Sequence, residues 1–162
     1  MNTDQINPVY QTCPTCPEQR HGYEKCESFI VACVRDHVDC YIYFSKNKNI
    51  DTPLCYAVCS GAIYNIMTYL LKNNLCDINE QTKDEHETAL HIACYRTSTL
   101  KDVNIIELLL IHGADQYIRD IYNLTPRERL EIEHIHNKKY FDIIIELFDK
   151  YSTLDIKEPE YY

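Results

Sequence analysis

The chain has 162 residues, with 25 acidic against 16 basic side chains and a formal net charge of −9, a size that suits one folded unit. Nucleic acid and anionic membrane surfaces are excluded as main partners, because both are gripped by clustered lysine and arginine and no basic stripe is present. No stretch of about 18 or more apolar residues is available to span a bilayer, and the three glycines, Gly22, Gly61 and Gly113, are too scattered to build a phosphate-cradling loop.

In chain order, residues 1–22 stand apart. No basic region followed by an apolar run is seen there, so no export signal is read. Pro8, Pro14 and Pro17 among polar neighbours predict a poorly ordered lead-in. It contains Cys13-Pro14-Thr15-Cys16, two thiols at a spacing that can grip one zinc, with His21 and Cys26 near enough to complete four ligands. A second ligand pair of ordinary spacing is missing, and no strand-then-helix context supports a redox role. Ordinary thiols are the simpler reading, and no cofactor is expected. Nine cysteines is an odd number, which argues against a closed disulfide framework and predicts free thiols in a reducing compartment.

Beyond the lead-in the chain repeats itself with a period of about 36 residues. Apolar stretches at 29–33 and 38–44 open the series. Thr52-Pro53-Leu54-Cys55-Tyr56-Ala57 then recurs as Thr88-Ala89-Leu90-His91-Ile92-Ala93 and, more weakly, as Thr125-Pro126-Arg127-Glu128-Arg129-Leu130. Thr52, Thr88 and Thr125 are placed to cap a helix through their hydroxyls, and proline at the next position has its backbone angle preset. Each copy leads into a second apolar helical stretch, at 65–71, 104–110 and 142–148, whose spacing demands that one side be covered. Gly113, Asn74 and Asn123 follow where left-handed geometry is needed, and Gly and Asn tolerate it best. Residues 95–103 insert extra length between the two helices of their unit. A final helix is predicted over 138–150, and residues 152–162, with Pro159, read as a tail.

These units resemble ankyrin repeats, whose pattern runs Thr-Pro-Leu-His-x-Ala, then a Leu-rich helix, then Gly-Ala-Asp. The segment Thr88 to His91 followed by His112-Gly113-Ala114-Asp115 matches it best. The resemblance implies an all-α solenoid of about four helix-turn-helix units over 23–151, at about 24–51, 52–87, 88–124 and 125–151, joined by hairpin-like loops. It implies that His91 bonds Thr88 and ties adjacent hairpins together. It also implies a protein that binds another protein and is not an enzyme. The candidate contact residues are Asp84, Glu85, His86 and Glu87 at one hairpin tip, Ile121 and Tyr122 at the next, and Tyr95, Arg96 and Arg127 on the inner helices. Leu124 is expected to tuck under the following repeat.

Two chemical alternatives attach to these residues. Cys94 could act as a nucleophile with His91 as base, but no oxyanion donor or orienting group is apparent. Leu71, Asp77, Ile78 and Asn79 are similar to the pattern read by the asparaginyl hydroxylase that modifies ankyrin hairpins; a plain hairpin asparagine is the simpler reading. The loose repeats, the insert and the abundance of Ile, Asn and Tyr resemble short virus-encoded ankyrin proteins, poxvirus-like or like the inhibitors of NF-κB. That implies a host signalling factor as partner and a cytoplasmic or nuclear setting. A cellular ankyrin scaffold and a zinc- or thiol-dependent protein using the N-terminal cysteines are the rival readings.

Overall fold

The structure, a computed structural model, describes residues 32–33, 36–45, 50–60, 64–97, 99–133 and 140–152. The described residues form helices and turns, with no strand among them. The helices are α1 (Val38–Ser45), α2 (Pro53–Cys59), α3 (Tyr64–Lys72), α4 (Ala89–Arg96), α5 (Leu100–Ile111), α6 (Pro126–Glu133) and α7 (Phe141–Ser152). The last of these starts after the predicted position and runs one residue into the expected tail. Cys13, Cys16, His21 and Cys26 lie outside the described residues.

The helices pack in two layers. Inner helices α2, α4 and α6 lie side by side, and outer helices α3, α5 and α7 back them, with α1 against α3. One continuous core fills the space between layers, built from Leu54, Ile66, Met67, Leu70, Leu90, Ile106, Leu109, Leu130, Ile144 and Phe148. Each is buried to within 2 % of complete. Burial of one such side chain stabilises by about 1.5–3 kcal/mol, so the stack is held mainly by this seam.

Chain reversals follow the predicted chemistry. Gly113 sits at φ 87° and Asn74 at φ 50°, and both end their helices the same way. Gly113 N–H donates to Leu110 O (3.1 Å) and Ala114 N–H to Leu109 O (3.0 Å). Asn74 N–H donates to Leu71 O (3.1 Å) and Leu75 N–H to Leu70 O (3.0 Å). This pair of bonds satisfies the last free carbonyls of each helix. The insert at 95–103 is absorbed without disrupting either helix. Thr97 Oγ1 donates back to Ala93 O (2.9 Å), and Asp102 Oδ2 accepts from Thr99 N–H (2.7 Å) to open α5. Between units, Asp36 accepts from the backbone N–H groups of Asn65 and Ile66, each at 2.9 Å, and so caps α3 from the preceding repeat.

Candidate protein-binding groove

A groove forms where hairpins meet inner helices, lined by Glu85, Glu87 and Tyr122 from the hairpins and by Tyr56, Tyr95 and Arg129 from the inner helices. Beneath it, fully buried, lies His91. Thr88 N–H donates to His91 Nδ1 (3.1 Å), so Nδ1 is the accepting nitrogen and Nε2 carries the proton. Nε2 then donates to Leu124 O (3.1 Å), at the base of the following hairpin. One ring therefore closes the first turn of α4 and fixes the next repeat. Burial pushes the His91 pKa down, which keeps the ring neutral. With both nitrogens engaged and the Cys94 thiol fully buried and pushed upward by that burial, the pair has no means of acting as base and nucleophile.

Thr52 does not cap α2 with its side chain, contrary to expectation. The reason lies three residues on. Position 55 is cysteine where the later repeat has His91, and a thiol is too short to reach back to the threonine. Cys55 Sγ instead lies 3.7 Å from Glu80 O and 3.8 Å from Glu87 O, weak contacts to the next hairpin. Thr125 restores the cap by another route: Glu128 Oε2 accepts from Thr125 N–H (2.7 Å), and Glu128 N–H donates to Thr125 Oγ1 (3.3 Å). This is a capping box built with carboxylate in place of imidazole.

The hairpins join edge to edge. Ile121 N–H donates to Glu85 O (3.0 Å), and Gln81 Nε2 donates to both His86 O (2.6 Å) and Arg119 O (3.1 Å). Asn79 Oδ1 accepts from Asp115 N–H (2.8 Å), so the asparagine singled out for modification links two hairpins.

The sequence alone did not reveal Arg129. From α6 its guanidinium meets Glu87 Oε1 at 2.7 Å and Asp120 Oδ2 at 3.1 Å. It also lies over the rings of Tyr122 (5.1 Å) and Tyr95 (5.8 Å). The side chains of Glu87 and Asp120 are 6 % and 0 % exposed. This is a buried charge cluster linking two hairpins to the third inner helix. Burial raises the Glu87 carboxyl above the usual carboxylate range, against the pull of Arg129. The one signal available was the unexplained Arg129 beside Leu130 in an otherwise weak repeat.

The predicted contact residues divide accordingly. Asp84, Glu85 and His86 are exposed at the second hairpin, and Ile121 and Tyr122 at the third, the last two 56 % and 61 % exposed. Tyr95 is half-buried between them and Arg96 is exposed, donating to Cys59 Sγ at 3.7 Å. Glu87 is buried, and so serves the cluster from within. Arg127 is engaged with Asp149 (2.6 Å) and Glu131 (3.5 Å) on the last helix pair. Leu124 is half-buried. Two hollows run along the surface, of about 440 Å³ beside Tyr122 and Arg129 and about 300 Å³ beside Tyr56 and Cys59. They share Glu85, Glu87 and Tyr95 and so form one groove. A larger hollow of about 590 Å³ lies between α1 and α3, on the outer layer away from the hairpin tips.

A family model of ankyrin repeats, in three copies, matches residues 20–120. The chain belongs to the ankyrin-repeat family. Among curated proteins it is similar to alpha-latrotoxin-Lg1a of Latrodectus geometricus, 40 % identical over 82 residues, which are 49 % of this chain and 6 % of the toxin. It is also similar to alpha-latrotoxin-Lh1a of Latrodectus hasselti, 44 % identical over 59 residues, 35 % of this chain and 4 % of the toxin. The chain thus spans a small fraction of the length of these relatives. Among solved structures, EF0377, an ankyrin repeat protein, shares the fold with a TM-score of 0.58 and 24 % identity, over 76 % of this chain and 63 % of that one. The α6–α7 pair lies beyond the family match and continues the ankyrin stack through the Arg129 cluster.

Proposed function

We propose that this protein binds another protein along the groove between its hairpin tips and inner helices, and acts by occupancy, with no covalent step. The observation that supports this most directly is the pairing of exposed Ile121 and Tyr122 with a rigid floor of Tyr95 and Arg129, since aromatic and arginine anchors held in place are what interfaces use. Among the described residues, the thiols of Cys33, Cys55, Cys59 and Cys76 are outside any disulfide, which supports a reducing, cytoplasmic or nuclear setting. No described helix is long and apolar enough to cross a membrane.

The finer setting we propose is a virus-encoded protein that covers a surface of a host signalling factor, in the manner of an NF-κB inhibitor. The loose repeats and the inter-helix insert support it. The latrotoxin likeness is confined to a small part of those toxins and bears on the repeat alone. Affinity capture from cells tests the binding face: Tyr122→Ala and Asp84→Ala are each expected to reduce recovery of the captured partner. Capture unaffected by both would place binding elsewhere. An NF-κB reporter that stays fully inducible in cells expressing the protein would remove the finer proposal.

A further inference from the structure

Tyr95 divides the groove into two hollows that differ in one respect. On one side, the space against Tyr95 and Tyr122 already holds a cation, the guanidinium of Arg129, set against the carboxylates of Glu87 and Asp120. On the other side, the hollow of about 300 Å³ is lined by the same Tyr95 and Glu87 together with Tyr56, Asp84 and Glu85, and none of its described lining residues is a lysine, arginine or histidine. Of the bases nearby in sequence, Lys83 pairs with Asp51, and exposed Arg96 makes a long contact to the Cys59 thiol. The two halves therefore share walls of one chemistry, aromatic faces plus carboxylates, and among the described residues only the first has a cation seated within it. Burial raises the Glu87 carboxyl, and the neighbouring Glu85 carboxylate adds to that rise, a like-charge contact on the shared wall that an added cation would relieve.

We infer that the hollow lined by Tyr56, Tyr95 and Glu85 is a subsite for a cationic side chain, a lysine or arginine presented by a basic segment of the partner. The ring faces attract the cation through their negative π clouds, and the carboxylates select charge over an apolar chain of equal length. Ile92, on the floor of the same hollow, gives the aliphatic stem a surface to lie on. The inference rests on the groove being a protein-binding surface and names the chemistry of one subsite within it.

The test is a nuclear magnetic resonance titration of the full chain, isotopically labelled, with N-acetyl-arginine methylamide and N-acetyl-lysine methylamide, against N-acetyl-norleucine methylamide at matched salt. The cationic amides are expected to shift the resonances of Tyr56, Glu85 and Tyr95 saturably, and norleucine is not. Glu85→Gln, an exposed substitution, is expected to weaken the titration about fivefold, the scale of one lost charge contact in a partly desolvated site. Asp142→Asn, which removes an equal charge from the exposed face of α7, should leave it unchanged. Tyr95→Phe keeps the ring and should keep binding; Tyr95→Leu should lose it while retaining the native melting transition. Equal weakening by Glu85→Gln and Asp142→Asn would reduce the effect to general attraction to an acidic protein and overturn the subsite. So would norleucine shifts as large as those of arginine, or no saturable shift at all. If that happens while capture of a partner still depends on Tyr122, the subsite fails and the binding face stands.

Discussion

The repeats opening at Thr52 and Thr88 use the same motif and hold their neighbours differently. In the later one, His91 fills three roles with one ring: it completes the helix cap at Thr88, stays neutral in the core, and donates to Leu124 of the next hairpin. In the earlier one, Cys55 occupies the equivalent position, Thr52 is left without a side-chain cap, and the thiol makes long contacts to Glu80 and Glu87. The comparison teaches that the solenoid tolerates loss of a lock at one step because its core seam is continuous, while the junction beneath the groove is the most heavily tied.

That contrast can be broken by mutation. The largest effect is expected at Arg129→Ala, which leaves Glu87 and Asp120 buried without their cation and should cost about 3–5 kcal/mol in denaturant unfolding. A loss below about 1 kcal/mol would mean the cluster is more hydrated than its burial implies. Next, His91→Ala should cost about 2–3 kcal/mol, because it strands buried polar groups and opens space. The matching Cys55→Ala should cost under about 1.5 kcal/mol, and equal losses at the two sites would erase the distinction between the repeats.

The pH dependence sharpens the same point. Folding lowers the His91 pKa, so below the ordinary histidine value of about 6.5 the unfolded chain takes up a proton that the folded chain refuses. The stability supplied by this residue is full above that value and falls as pH drops towards the folded pKa. The gap in unfolding free energy between the natural protein and His91→Ala should therefore narrow from pH 7 to pH 5; a gap that widened would mean the ring is protonated in place. Replacing Cys55 by histidine should add about 1 kcal/mol by rebuilding the cap at Thr52, measured as a rise in the unfolding midpoint. The smallest change is expected from Asn79→Ala, about 0.5–1 kcal/mol, through loss of one exposed bond to the Asp115 amide.

Much of the stack could be read from residues that act locally. The left-handed positions Asn74 and Gly113, the cap at Thr88 and the apolar spacing of 104–110 each depend on chemistry within a few residues, so the sequence was sufficient for them. The same holds for Ile121 and Tyr122, whose exposure follows from their place on a hairpin tip. Glu87 and Arg127 show where such reasoning stops. Glu87 belongs to an acidic run expected to meet a partner at a hairpin tip, yet it is buried and paired with Arg129 from α6. Arg127 sits on an inner helix, but its charge is taken by Asp149 of α7.

By itself, then, the order of residues determined the repeat, its caps, its turns and the class of fold, since these arise from backbone geometry and hydrophobic periodicity over short spans. The tertiary structure alone decided which charges are buried together, that Cys55 leaves Thr52 uncapped, and that Arg129 seats its cation in one half of the groove. Those outcomes depend on side chains brought together from separate repeats, where distance and desolvation set the energy of a charge and no local pattern records them.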